Sequence, residues 1–223
     1  MLFDALATRL SAEYDLFLYA LSGRYQQMRA PGVAVTPRAV SDLNQSSQGL
    51  VHTFYQIATT EIDNYLRPMR SEASGDVADS LTVRKKLVLS HIRAMLIENA
   101  QQVVKATRTG VASAGDLLQG KTGAIGLLLQ RQAGKIQFKT ADTSGRKWDA
   151  EKLFKVVVRD FAYQAWLDFE ADRYAQAGQD LMQTPKGRIF SLLETTGYDS
   201  FEAVRPEVFH INSNEIMVPY VPS

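Results

Sequence analysis

The chain has 223 residues, 45% of them hydrophobic and 22% charged, with 25 Lys and Arg against 24 Asp and Glu. That composition belongs to globular proteins of one large or two small domains and excludes disordered and fibrous classes. With no cysteine anywhere, disulfides, thiolate nucleophiles, cysteine-held zinc and iron–sulfur clusters are ruled out. No apolar run reaches the roughly 18 residues that span a bilayer. Met1-Leu2-Phe3-Asp4 leads into an acidic amphipathic segment, so neither a membrane-spanning segment nor a classical export signal is expected.

The first predicted element is a helix. Phe3, Leu6, Leu10, Tyr14, Phe17, Leu21, Tyr25 and Met28 recur at steps of three and four, one continuous apolar stripe that stops at Ala30-Pro31-Gly32. A second helix starts at Thr36-Pro37, a capping residue followed by proline in the first turn, and carries Val40, Leu43, Leu50, Phe54, Ile57 and Leu66 towards Arg67-Pro68. After a polar stretch from Ser71 to Ser80, a third helix is predicted from Leu81 to Thr109, with Val88, Ile92, Met95 and Val103 on one face. Such stripes are stable only when buried against one another or against a partner.

Glycines at 110, 115, 120, 123, 126 and 134 then mark residues 110–134 as a hinge between a helical region, 1–109, and a small α+β region, 135–223. In the latter, Lys135-Ile136-Gln137-Phe138-Lys139 alternates like a strand and Asp142-Thr143-Ser144-Gly145 reads as a turn. Asp149 caps a helix that ends near Gly178, and short strands are expected at Arg188–Leu192 and Ile216–Val221. The fold class expected is mainly α: long amphipathic helices joined to a small α+β domain.

Charge is segregated along the chain. Residues 1–83 carry a net −3, residues 84–159 a net +10 and residues 160–223 a net −6. A basic middle between acidic ends means either a face for a polyanion or internal neutralisation, with the ends folded over the middle. Under the first reading the nucleic-acid contacts would be Arg84, Lys85, Lys86, Lys147, Lys152 and Lys155. Aromatics and cations interleave from Trp148 to Phe169; within a helix that pattern reads as core on one face and solvated charge on the other.

Gly115-Asp116-Leu117-Leu118-Gln119-Gly120-Lys121-Thr122 matches the spelling of a phosphate-binding P-loop. A true P-loop follows a buried parallel strand, whereas Lys105–Ala114 reads as the polar end of a helix, so the match is taken as fortuitous and no catalytic residue is assigned. His52 and His91 lie on helices and read as packed or surface residues. His210 has Glu215 nearby, yet two ligands do not make a closed metal site, so no metal or other cofactor is expected.

The order of features in the second half resembles a known family. Ser144-Gly145-Arg146-Lys147-Trp148 leads into a long helix, Gly187-Arg188-Ile189-Phe190-Ser191-Leu192 and Gly197-Tyr198 come next, and Phe209-His210-Ile211-Asn212 precedes Pro219-Tyr220. This resembles the C-terminal region of the minor head proteins of tailed bacteriophages, the head-morphogenesis family typified by the F protein of phage Mu. The resemblance covers residues 135–223. Relatives close with Phe-His-Pro-Asn-Cys-x-His, where this chain has Ile211, Ser213 and Glu215 instead of Pro, Cys and the second His. It also lacks their upstream Cys-x-x-Cys, and Arg159 is followed by Asp160 where relatives carry an Arg-Thr pair. The resemblance therefore implies a copy without the Cys/His cluster, in which Phe209, His210, Asn212 and Tyr220 form a structural motif held by packing and hydrogen bonds. It implies a non-enzymatic minor capsid protein in the virion and, during assembly, the host cytoplasm. Its partners would be portal or capsid proteins and packaged double-stranded DNA, and its role would lie in head assembly, packaging or ejection. An internal ejection or head–tail connector protein and a P-loop phosphohydrolase are the alternatives.

Overall fold

The computed structural model describes residues 2–30, 33–118, 138–142, 144–210 and 213–221. Among them the elements run α1 (Leu2–Met28), α2 (Pro37–Glu72), α3 (Gly75–Leu118), β1 (Lys139–Ala141), β2 (Lys147–Asp149), α4 (Ala150–Gln176), β3 (Leu181–Gln183), β4 (Ile189–Ser191), α5 (Phe201–Val208) and β5 (Val218–Pro219). The chain is mainly α, three long helices followed by a region with short antiparallel strands, as the periodicities predict. No described helix is long and apolar enough to cross a membrane.

Three helix boundaries differ from expectation, each for a local reason. α2 passes through Pro68 to Glu72, because a proline removes one amide donor but does not prevent the next turn when packing holds it; Leu66 and Met69 are both buried. α3 starts at Gly75, within the polar stretch. Ser74 caps it: its backbone N–H and hydroxyl both donate to the Asp172 carboxylate, at 2.8 and 2.7 Å, and its carbonyl accepts from Ala78 N–H at 2.9 Å. At the other end α3 continues through Gly110 and Gly115 to Leu118. Glycine lowers helix stability by about 1 kcal/mol without forbidding the conformation. The rest of the glycine-rich stretch, Gln119 to Gly134, and residues 135–137 of the predicted strand lie outside the described residues.

Two compact units emerge, the first built from Met1–Ala7, Glu61–Val88 and Val156–Ser223, the second from Thr8–Thr60 and Leu89–Lys155. Each unit therefore takes a part of each of the four long helices. In the second unit an aromatic cluster forms where the α1 stripe meets α2 and the start of α4. The rings of Tyr14 and Phe154 stack at 4.1 Å, and Phe54 lies 5.7 Å from both of them and from Phe17. Burial drives this packing, and ring geometry adds about 0.5–1.5 kcal/mol per pair. The Tyr14 hydroxyl is satisfied by Asn99 Nδ2, and Asn99 Oδ1 accepts in turn from Thr140 Oγ1 at 3.3 Å. Burial pushes the Tyr14 phenol well above its ordinary range. The β1–β2 hairpin is tied to α3 here as well. Gln102 donates to the Lys139 carbonyl and accepts from its N–H at 3.2 Å, acting as the neighbouring strand that β1 lacks on that side.

In the first unit the three-stranded sheet has the order β4-β3-β5, all pairs antiparallel, with Met182 opposite Phe190 and Gln183 opposite Val218. Phe190, Phe201 and Phe209 converge with ring centroids 5.7–5.8 Å apart. Phe3 packs on Tyr163 and Trp166 at 5.1 and 5.8 Å, and Tyr65 Oη donates to the Ala162 carbonyl at 2.7 Å. The residue pattern does not predict β3 or α5. β3 has three residues, too few to show alternation, and α5 carries Pro206 inside it, although Ser200 at its N-cap, accepting from Ala203 N–H at 3.3 Å, is a legible start signal.

Because Phe154 is fully buried in the aromatic cluster, Phe154→Ala is expected to cost about 3–5 kcal/mol of unfolding free energy. The exposed Lys155→Ala next to it should stay within about 0.5 kcal/mol. Urea denaturation followed by circular dichroism checks both, and similar small losses for the two variants would mean the cluster is not the core of that unit.

Candidate functional site

The part of the chain that carries the resemblance is organised, in the first unit, around α4. This helix has two polar stripes at helical spacing. One is Asp160, Gln164, Asp168 and Asp172, each four residues after the last; the other is Arg159 with Tyr163. Both stripes hold segments that come after α4 in the chain.

On the first stripe, Arg205 of α5 reaches Asp168 at 2.6 Å and donates from Nε to Gln164 Oε1 at 2.9 Å. Gln164 Nε2 donates to the Phe209 carbonyl at 2.8 Å. Asp168, whose side chain is only 9% exposed, also takes Arg84 of α3 at 2.5 Å. Two arginines thus meet one carboxylate that is largely shielded from water. Burial raises the pKa of Asp160 despite the opposing pull of Arg84, Arg205 and Arg159. A groove of about 390 Å³ borders this network, lined by Arg84, Asp168, Asp172, Leu192, Phe201 and Arg205 among others.

On the second stripe, Arg159 contacts Asp4 at 3.1 Å, the Ser213 carbonyl at 3.3 Å and Asn214. Its guanidinium lies over the Phe3 ring at 5.6 Å. Tyr163 Oη donates to the Glu215 carbonyl at 2.7 Å, and the Glu215 carboxylate pairs with Lys186 at 2.5 Å. Segment 213–217 is therefore fixed to α4 by hydrogen bonds, with Ser213 and Met217 buried.

The terminal motif is brought together in part. Phe209 is buried in the phenylalanine trio. His210 is exposed, and its carbonyl accepts from Ser213 N–H at 2.7 Å; Glu215 is engaged by Lys186 rather than brought to it as a metal ligand. Asn212 lies outside the described residues. Tyr220 N–H donates to the Leu181 carbonyl at 2.9 Å, so the last strand pairs alongside β3. Antiparallel pairing on the open edge of β3 explains that placement, since β4 already occupies the other edge. Among the described residues no group of three or more His, Cys, Asp or Glu is arranged to hold a metal ion.

Of the basic candidates, Arg84 is taken by Asp168 and Lys85 by Asp63 at 2.6 Å, where Arg70 joins at 3.0 Å. For these residues the acidic flanks do fold over the basic middle. Lys86 is exposed, as are Lys147, Lys152 and Lys155 in the second unit, Lys152 standing 3.7 Å from Asp149. In the P-loop-like stretch, Gly115 to Leu118 form the end of α3, preceded by helix where a P-loop has a strand; Gln119 to Thr122 lie outside the described residues. His52 lines a groove of about 840 Å³ between α2 and α3 with Tyr55, Thr59 and Arg93, the Arg93 guanidinium 5.9 Å from the Tyr55 ring. Sequence reasoning passed over Gln164, Asp168 and Arg205, although the four-residue recurrence of polar side chains on a helix rich in aromatics was a visible signal for the first two.

If packing replaces the Cys/His tie, Phe209→Ala should lower stability by about 3–5 kcal/mol, while EDTA leaves the melting temperature unchanged. Chelator-sensitive melting would show that a metal holds the segment. The Lys85 hydrogen bond, with help from Arg70, holds the Asp63 carboxyl below the usual carboxylate range. A depressed pKa contributes stability above the unfolded value, about 3.9, and loses it as pH falls through the folded one. Asp63→Asn should therefore narrow the stability difference between pH 7 and pH 3, as read by urea melts at both; an unchanged difference would remove Asp63 from the acid response. No family model, no curated protein and no solved structure matches this chain.

Proposed function

We propose that the chain is a structural minor capsid protein of a tailed bacteriophage, attached to the portal or the inner face of the capsid and acting in head assembly, DNA packaging or ejection. The observation that carries the reading is the way the closing segment is fastened. In the family that residues 135–223 resemble, Cys and His come after the Phe-His pair. Here Phe209 packs on Phe190 and Phe201, and Ser213, Asn214 and Glu215 are held by Arg159 and Tyr163 of α4. In this reading polar contacts and burial take the place of the missing cysteines.

The role of the charged side chains fits an architectural protein. Asp168, Arg205, Arg84, Asp63 and Lys85 are engaged with one another in pairs of 2.5–2.6 Å. Side chains held in this way position elements; they are not poised to transfer protons to a substrate. In this reading the protein has no active site, and its surface works by contact.

Quantitative mass spectrometry of purified particles of the phage that encodes the chain tests the proposal. One or a few copies per head, with heads failing to fill or infect when the gene carries a stop codon, are expected. A ring of copies at the tail-proximal face would replace this reading by the connector alternative, and absence from both heads and head precursors would overturn it.

A further inference from the structure

We infer that the tip of the β1–β2 hairpin and the first turns of α4 form a contact surface for the phosphate backbone of double-stranded DNA. The surface lies within the second unit, and only the choice of DNA as its polyanion rests on the proposed place in the virion. Between Lys139 and Lys155 the chain carries Lys139, Arg146, Lys147, Lys152 and Lys155 against Asp142, Asp149 and Glu151. The structure decides which of these charges face water unopposed.

Asp142 is consumed by the turn. It accepts from the backbone N–H of Ser144 and Arg146 at 3.0 and 2.9 Å, from Ser144 Oγ at 2.6 Å and from Trp148 Nε1 at 2.8 Å. Gly145, at φ +81°, lets the chain reverse there. Arg146 stands on the far side of that turn, its guanidinium 4.4 Å from the Trp148 ring centroid and 69% of its side chain exposed, with Asp142 at 3.4 Å. Asp149 is divided between Lys139 and Lys152, the latter at 3.7 Å with its side chain 75% exposed. Lys147 and Lys155 are exposed, and neither forms an ion pair among the described residues. Lys152 and Lys155, three residues apart, share one side of α4.

The contrast with Arg84 and Lys85 assigns the surface. Those two hold carboxylates at 2.5–2.6 Å with 32% and 20% of their side chains exposed, so a phosphate would have to displace a formed, partly buried pair. Arg146 and Lys147 on a hairpin that Gln102 and Asn99 tie to α3, and Lys152 and Lys155 on α4 beside the exposed carboxylate Glu151, meet phosphates at little cost in ordering the backbone. No large hydrophobic side chain is exposed among described residues 138–155. Contact there would be ionic and independent of base sequence, the mode of backbone binding, whereas a protein partner would need apolar anchors.

The test uses the full chain and a labelled DNA duplex of about 30 base pairs in fluorescence anisotropy, over salt from roughly 50 to 200 mM. Wild type should bind, with the logarithm of the binding constant falling linearly against the logarithm of salt. The triple variant Lys147→Gln, Lys152→Gln, Lys155→Gln should bind at least about tenfold more weakly, its slope shallower by about 0.9 for each phosphate contact removed. A control that removes equal charge elsewhere on the surface, Arg38→Gln, Arg67→Gln, Arg93→Gln, should change affinity less than about twofold, and matching circular dichroism melts exclude misfolding. Absence of wild-type binding at the lowest salt, equal loss in both triple variants, or equal competition by polyglutamate would overturn the inference. A chain that is found in heads yet binds no DNA would sink this surface alone, and one that binds DNA but is absent from heads would sink only the virion reading.

Discussion

A carboxylate largely shielded from water has to be neutralised, and in the first unit that requirement falls on Asp168. Its side chain is 9% exposed, and it is met by Arg84 from α3 and Arg205 from α5. Much of the arrangement around it depends on that contact. Arg205 meets Asp168 and Gln164 of α4, and α5 so placed brings Phe201 and Phe209 onto Phe190 of β4. With Phe209 in place its carbonyl meets Gln164, and the segment after it runs back along α4 past Tyr163 and Arg159. Partly buried pairs of this kind add little net stability compared with apolar packing, but their geometry tolerates few alternatives, and here they set where a short helix docks.

Short elements need such anchoring. α5 has eight residues with a proline among them, and β3, β4 and β5 have three residues or fewer. None would persist alone, because helix nucleation and isolated strand pairing are both unfavourable at that length. They persist because each contributes at least one side chain or backbone group to a buried set: Phe201 from α5, Met182 from β3, Phe190 from β4, and from β5 the pairing with β3. Hydrogen bonds from α4 add a distributed anchor for the segment after α5.

The two units use polar side chains differently. In the first they pair with each other across elements. In the second, Tyr14, Asn99 and Thr140 form a chain of hydrogen bonds beside an aromatic cluster, and the charges stand outside on the hairpin and on the first turns of α4. The distinction has a physical origin in where the charges sit. Arg84 and Asp168 come from two helices within one unit and meet where the carboxylate is largely shielded from water. Lys147 and Lys155 project from a hairpin tip and a helix start, where water competes successfully.

Much of this was written in the local pattern of residues. The stripe from Phe3 to Tyr25 is buried along its length, Pro37 opens α2 and Gly178, at φ +74°, comes just after the end of α4, because stripe spacing and capping act over a few residues and need no distant partner. The mainly α class follows from the same local rules. Other features needed the folded chain. Whether a lysine or arginine in the basic block faces water or a carboxylate depends on residues up to 84 positions away, as Arg84 and Asp168 show, and no spacing rule encodes that meeting. The start of α3 at Gly75 depends on Asp172, 98 residues on from Ser74. The pairing of β5 with β3 instead of β4 depends on which sheet edge remained open. Sequence periodicity specifies which face of an element is apolar; only packing decides which charge that face brings to which partner.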